Sequence, residues 1–254
     1  MSAEPTLFRL RVRYVKQGRL RYLGHLEVAR TVERSVRRAG LPYAVTQGFS
    51  PRMRVAFSSA LPVGTSSVCE WYDLTLTGYV PAPDALARLV AATPADLVPR
   101  QAGYVDVRAE TLGLLITRQE YRVDLMTAGG RRATELLPDA HRALDELVAE
   151  GFITYLRGSK RKTLDLASLL DTAELSARAD DRGLLLELRT RSSNAGSLRP
   201  EILLAAWDAR FGAGDPDAPL VSTGIPRLAN FASVEVERTD QYGEDDCGNP
   251  VRPL

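Results

Sequence analysis

Apolar and polar residues alternate with period two over Thr6–Val15. Phe8, Leu10, Val12 and Tyr14 fall on one side and Arg9, Arg11 and Arg13 on the other, the pattern of a half-buried strand. Gln17-Gly18 breaks it. Over Leu23–Ala39 the spacing turns helical. Tyr22, His25, Leu26, Val28, Ala29, Val32, Val36 and Ala39 fill one arc, with Arg30, Arg34 and Arg38 opposite. Gly40 and Pro42 supply the stop. After the turn-like Gln47-Gly48-Phe49-Ser50-Pro51, Met53, Val55 and Phe57 alternate with Arg52, Arg54 and Ala56. Tyr72, Leu74 and Leu76 alternate with Trp71, Asp73 and Thr75. Pro83-Asp84 opens a short helix running to Ala92, and a strand near Leu97–Val107 closes the unit. The order is β-α-β-β-α-β.

The order recurs without shared identity. Tyr121, Val123 and Leu125 mark a strand, Pro138–Glu150 a helix stopped by Gly151, and Phe152–Leu156 and Leu184–Thr190 two strands separated by an insertion. Pro200–Phe211 is a helix with proline in its first turn, and Ala232, Val234 and Val236 mark a last strand. The predicted fold class is α+β: tandem ferredoxin-like (βαββαβ) units, antiparallel sheets with helices on one face. The predicted domains are a basic unit over 1–112, a second unit over 113–240 and a flexible, non-periodic tail over 241–254 (QYGEDDCGNPVRPL).

Composition narrows the chemistry. The 254 residues are 44% hydrophobic and 26% charged, ordinary globular values. No apolar run is long enough to span a bilayer, and the first residues lack the apolar core of a signal peptide, so no membrane association and a cytoplasmic location are expected. Two cysteines, Cys69 and Cys247, and two histidines, His25 and His141, exclude a disulfide scaffold, a Cys-based zinc site and a three-Cys iron–sulfur motif within this chain. No metal or other cofactor is expected.

Charge is distributed unevenly. Residues 1–60 carry twelve Lys/Arg against three acids, a local excess of nine that the remainder nearly cancels to a net +1. Eleven of the twelve are arginine, the residue suited to bidentate phosphate contact. If helices cover the apolar side of the first sheet, Arg9, Arg11, Arg13, Arg52 or Arg54, and Trp71 lie on its other side. Guanidinium groups beside an aromatic ring suit single-stranded nucleic acid. The competing structural reading is that this side packs on the second half, whose acids answer the arginines.

The run Tyr14–Gly64 carries a longer pattern. Lys16 and Gly18 follow the first strand, and Leu23-Gly24-His25-Leu26-Glu27 opens an arginine-rich helix from Arg30 to Arg38. Gln47-Gly48-Phe49-Ser50-Pro51-Arg52 and Phe57 with Ala60-Leu61-Pro62-Val63-Gly64 come next. This run resembles the radical-SAM-associated family defined by a domain of unknown function found alone or fused behind a radical-SAM enzyme. Weaker likeness continues through Lys162-Thr163-Leu164-Asp165 and Leu198-Arg199-Pro200-Glu201. The resemblance implies RNA metabolism, since gene neighbourhoods in the family tend toward ribonuclease E/G and ribosomal proteins. Here the cluster-binding Cys-x-x-x-Cys-x-x-Cys is missing, so radical chemistry would belong to a partner. The family carries no established catalytic residues to transfer.

The resulting expectation is a non-catalytic RNA-binding accessory protein that works with a separate radical-SAM enzyme on tRNA or rRNA. Its RNA-binding candidates are Arg9, Arg11, Arg13, Lys16, Arg19, Arg21, Arg30, Arg34, Arg52, Arg54, Trp71, Lys160, Arg161 and Lys162. Lys160–Lys162 belong to a basic stretch that is either a second phosphate clamp or a solvated hairpin tip, and Arg189 and Arg191 lean toward the clamp. A second expectation is a metal-independent endoribonuclease. The chain also resembles, more weakly, CRISPR repeat-processing enzymes that place a histidine early in the first helix. His25, Tyr22 and Lys16 would supply the base and the cation, against the plainer reading of His25 as a core-edge residue. Those enzymes also carry a glycine-rich loop, which Thr223-Gly224-Ile225-Pro226 echoes poorly. The small residues of Arg191–Pro200 could present N–H groups to an anion, against the plainer reading as a linker. A third expectation is a scaffold whose basic surface docks an acidic protein.

Overall fold

The computed structural model describes residues 6–193, 196–211, 220–221 and 224–254. Asn194, Ala195 and Thr223, which belong to two of the loops considered above, lie outside the described residues, as does the start of the chain before Thr6. The architecture mixes helices with largely antiparallel sheets. Two compact units result. Unit 1 comprises Met1–Leu61, Ser66–Thr117 and Gln241–Leu254; unit 2 comprises Pro62–Thr65 and Arg118–Asp240. Among the described residues, no helix is long and apolar enough to cross a membrane.

Unit 1 runs β1 (Phe8–Lys16), a 3-10 turn at Gly18–Tyr22, α1 (His25–Arg38), β2 (Val55–Phe57), β3 (Ser66–Leu76), α2 (Ala82–Ala92), β4 (Pro99–Val105) and the single turn α3 (Leu112–Leu115). β1 lies between β3 and β4, and β2 also pairs with β3, all antiparallel. The period-two residues do what the pattern demands. Leu10, Val12 and Tyr14 of β1 and Tyr72, Leu74 and Leu76 of β3 are buried with Val28, Val32 and Val36 of α1 and Ala85 and Leu89 of α2. Each valine or leucine of this set returns ~1.5–3 kcal/mol on burial, and a one-residue slip of a strand would turn its inward residues to the other face.

The opposite face of this sheet is covered too. Leu112, Ile116 and Leu254 pack on Trp71. The C-terminal segment, expected to be a flexible tail, is part of unit 1. Gln241 is buried and donates to the Cys69 carbonyl at 2.9 Å. The Asp245 carboxylate accepts the N–H groups of Cys247 and Asn249 at 2.9 and 2.8 Å, turning the chain back on itself. A segment without periodicity is therefore held by turn chemistry and by one terminal leucine.

Unit 2 runs β5 (Arg118–Thr127), α4 (Ala133–Glu150), β6 (Phe152–Arg157), β7 (Lys160–Asp165), the turn α5 (Leu166–Leu169), β8 (Leu170–Ala177), β9 (Gly183–Ser193), β10 (Gly196–Ser197), α6 (Pro200–Phe211), β11 (Leu220–Val221) and β12 (Phe231–Glu244). The last four residues of β12 belong to unit 1, where β13 (Pro250–Val251) pairs with its end. In unit 2, β8 pairs with β9, β9 with β5, and β5 neighbours β12. Phe152–Leu156 does not join that sheet as its spacing suggested. It forms a hairpin with β7 beside β11, and β8 takes the place at β9. α4 begins five residues before Pro138 because Asp181, at φ 55°, accepts the Thr134 N–H at 2.9 Å and caps the helix there. Gly151, at φ 80°, ends it as expected.

Candidate nucleic-acid interface

Arg9 and Arg11 are on the face of β1 away from the helices, as the alternation requires, but they are not open to solvent. Arg11 stands directly across from Asp73 in the β1–β3 register, and Arg9 is the diagonal neighbour. Asp73 accepts from Arg11 Nε at 2.7 Å and Nη2 at 3.0 Å, and from Arg9 Nε at 2.8 Å. Backbone carbonyls take the remaining donors. Arg11 reaches Pro253 at 3.1 Å and Glu110 at 3.2 Å; Arg9 reaches Glu110 at 2.9 Å and Ala109 at 2.6 Å. Arg11 is 2% exposed. Arg13 lies over the ring of Trp71, 6.0 Å from its centroid, and Trp71 itself is buried. The expected open surface of Arg9, Arg11 and Trp71 is therefore corrected. These residues are neutralised or covered within unit 1, because alternation sets the face of a side chain and not what later packs upon it.

The exposed cations of unit 1 lie elsewhere. Val28, Val32 and Val36 of α1 are buried, while Leu26, expected on the same arc, is exposed in the first turn of the helix; Arg30, Arg34 and Arg38 face outward on successive turns, rising about 6 Å per step. Arg37 is also outward, paired with Glu33 at 3.2 Å. Arg19, Arg52 and Arg54 are exposed. Arg21 is half-buried, its guanidinium 5.1 Å from the centroid of the Tyr22 ring. Between Val45 and Met53, which form a bridge, the Gln47-Gly48-Phe49-Ser50-Pro51-Arg52 loop makes a hairpin whose Phe49 is 108% exposed. Sequence reading missed Phe49 as a functional residue. The available signal was an aromatic ring set between a glycine and a proline, where a core residue is out of place.

A recess in the same unit collects other motif residues. Lys16, His25, Phe57, Ser58, Ser59 and Glu70 line it. Lys16 is buried and donates from Nζ to the Arg21 carbonyl at 2.9 Å, which ties down the end of the 3-10 turn. Gly18 is required there: at φ 53° a Cβ would meet the Asp96 carboxylate at 2.4–2.8 Å. His25 is the first residue of α1. Its ring is edge-on to Phe57 at 5.4 Å, and the residue is exposed rather than central to the apolar arc. Glu27 accepts the Gly24 N–H at 2.8 Å, which fixes the helix start. Tyr22, expected on the inward arc, precedes the helix on the 3-10 turn and is 58% exposed. The recess thus holds His25 and Lys16 of the three catalytic candidates, and Tyr22 does not line it.

In unit 2, Lys160, Arg161 and Lys162 are exposed on β7, opposite Arg157, Leu156 and Tyr155 of β6. Arg189 is paired with Glu120 at 3.1 Å, and Arg191 is paired with Asp171, so these two do not extend a clamp. Glu70 and Asp73 point to opposite sides of β3, one into the recess and the other between Arg9 and Arg11. Among the described residues, no group of three His, Cys, Asp or Glu side chains is placed to hold a metal ion.

Fold and surface together define a two-unit α/β protein with an arginine-rich first unit. Residues 9–200 match the profile of a bacterial family described as an uncharacterized protein conserved in bacteria (DUF2344), and the chain belongs to that family. None of the curated proteins compared with the chain matches it.

Proposed function

We propose that this protein is an RNA-binding accessory chain that acts with a separate radical-SAM enzyme in tRNA or rRNA modification or processing. One observation carries the reading: unit 1 buries and pairs Arg9 and Arg11, yet keeps Arg30, Arg34 and Arg38 in a solvent-facing stripe on α1. Cations held for folding are sequestered, and those on α1 are left for a polyanion. Both units are read as ferredoxin-like. Unit 1 places β4 beside β1, β1 beside β3 and β3 beside β2; the corresponding neighbours in unit 2 are β12, β5, β9 and β8. Many RNA-binding sheets of this kind use the face away from the helices. Here Leu112, Ile116 and Leu254 cover Trp71 on that face, which favours the α1 and hairpin surfaces instead. The partnership rests on the family resemblance. The chain's two cysteines cannot form a three-Cys motif, so a cluster would be held by the partner.

Filter binding to tRNA and to rRNA fragments across a salt series tests this. The wild type binds with an affinity that falls as salt rises. The combined Arg30→Glu, Arg34→Glu, Arg38→Glu variant binds more weakly, with the slope of log K against log salt reduced by ~0.7 per lost phosphate contact on single strands. No affinity, or an affinity flat in salt, overturns the reading.

The recess favours a second reading, metal-independent RNA cleavage, because it brings the His25 imidazole together with Lys16, Ser58, Ser59 and Glu70. Labelled RNA incubated in EDTA with wild type and His25→Ala decides it. Cleavage lost in the variant supports it, and intact RNA with both proteins ends it.

A further inference from the structure

The Phe49 loop is a closed structure and not a loose excursion. The Thr46 N–H donates to the Arg52 carbonyl at 2.8 Å, and the Arg52 N–H returns to Thr46 Oγ1 at 3.0 Å. Below that pair, Met53 is buried in the core of unit 1. At the tip, Gly48 has φ 126°, a conformation open to glycine and rarely to other residues, and Pro51 fixes its own φ. A turn so constrained loses little entropy when it binds. It nonetheless presents a phenylalanine ring entirely to water, at 108% exposure.

The surroundings of the ring say what it suits. Gln47, Gly48, Ser50, Pro51 and Arg52 share its hairpin, and Arg54 follows; between Val45 and Arg54 there is no acid and the charge is +2. Gln47, Ser50, Pro51, Arg52 and Arg54 are all exposed. A protein-docking hot spot sits at the centre of a packed apolar patch. Here one ring stands among polar and basic groups. An aromatic ring on a hairpin that carries exposed arginines suits an unstacked base and its neighbouring phosphates.

We propose that Phe49 is a base-stacking platform for single-stranded RNA, with Arg52 and Arg54 holding the flanking phosphates. This rests on the RNA-binding reading above and adds the class of RNA. In a duplex both faces of each base are occupied by its neighbours, so a ring on a hairpin tip gains a partner only from a single strand, a bulge or a loop.

The test uses the full chain and fluorescence anisotropy with a labelled single-stranded RNA and with the same sequence as a duplex. Wild type, Phe49→Ala and Phe49→Trp are compared, with circular dichroism confirming that each is folded. Phe49→Ala weakens single-strand binding about 5- to 150-fold, the range for losing one stacked base, and leaves duplex binding unchanged. Phe49→Trp retains single-strand affinity, and RNA quenches the fluorescence of this variant alone, since Trp71 and Trp207 are buried. If wild type binds RNA and Phe49→Ala binds the single strand equally well, the stacking role is overturned while the RNA reading stands. If wild type binds neither RNA, the RNA reading itself has failed. If Phe49→Ala keeps its single-strand affinity but loses a co-purifying protein, the ring is a protein anchor and the proposal is wrong.

Discussion

Replacing Asp73 with alanine removes the one carboxylate shared by Arg9 and Arg11. Four bonds to charged donors disappear, from Nε and Nη2 of each arginine, and both guanidinium groups stay in place with only backbone carbonyls as acceptors. The side chains of Arg11 and Arg9 are only 3% and 11% exposed, so water cannot replace the lost acceptor without opening the cover formed by residues 109–110 and 253. Breaking a buried pair from one side costs ~3–5 kcal/mol, because an uncompensated charge remains. The remaining carbonyl contacts place Asp73→Ala toward the lower part of that range. Asp139→Ala breaks an ion pair to Arg142 that is open to solvent and serves as the control, with an expected cost of ~0–1 kcal/mol. Urea unfolding followed by tryptophan fluorescence measures both, since Trp71 lies beside Arg13 on the affected face. A loss for Asp73→Ala no larger than for the control refutes the claim that this cluster is structural.

Three further outcomes follow from the packing. Gly103→Val drives a branched side chain against Leu254, whose Cδ2 already lies 3.0 Å from where a Cβ would stand; carboxypeptidase should then release the C-terminal residues faster than from wild type, and an unchanged rate contradicts the packed tail. Burial raises the pKa of the Glu201 carboxyl, and its nearest cation, Arg199, stands 3.7 Å away and only partly offsets that cost. The folded state then holds its proton more tightly than the unfolded state, so this residue lowers stability as pH rises from the ordinary carboxylate range; Glu201→Gln should be more stable than wild type at neutral pH, with the difference vanishing in acid. For Asp181 the sign is opposite: the Thr134 N–H and then Arg132 hold its carboxyl below the usual range, so its contribution is present above that range and lost as pH falls through the lowered value. The gap in thermal midpoint between wild type and Asp181→Ala should therefore close on acidification, and a gap independent of pH would count against the cap.

What the sequence made legible was local. The alternation Phe8–Tyr14 placed β1 and both of its faces, and the arc Val28–Val36 placed the buried side of α1, because burial of one face imposes the period. The stripe of Arg30, Arg34 and Arg38 followed from the same arc. Covering was not legible. Nothing in the spacing of Arg9 and Arg11 tells that Asp73 lies across from them, or that Leu254 returns over Trp71, since both depend on contacts between distant segments. β8 was missed because Leu170–Ala177 turns two alanines inward, Ala173 and Ala177, and small residues leave a weak alternation. Pro138 was taken as a helix start, whereas the start is set by Asp181, more than forty residues further along the chain. Phe49 was visible only as part of a motif; its meaning came from its exposure.

The most direct test of the account is ultraviolet crosslinking of the full chain to RNA, with the crosslinked peptides identified by mass spectrometry. The account predicts crosslinks within α1 from Arg30 to Arg38 and in the hairpin around Phe49, and none at Arg9, Arg11 or Trp71. Crosslinks confined to other surfaces, such as Lys160–Lys162 on β7, or to the strand carrying Arg9 and Arg11, would contradict it.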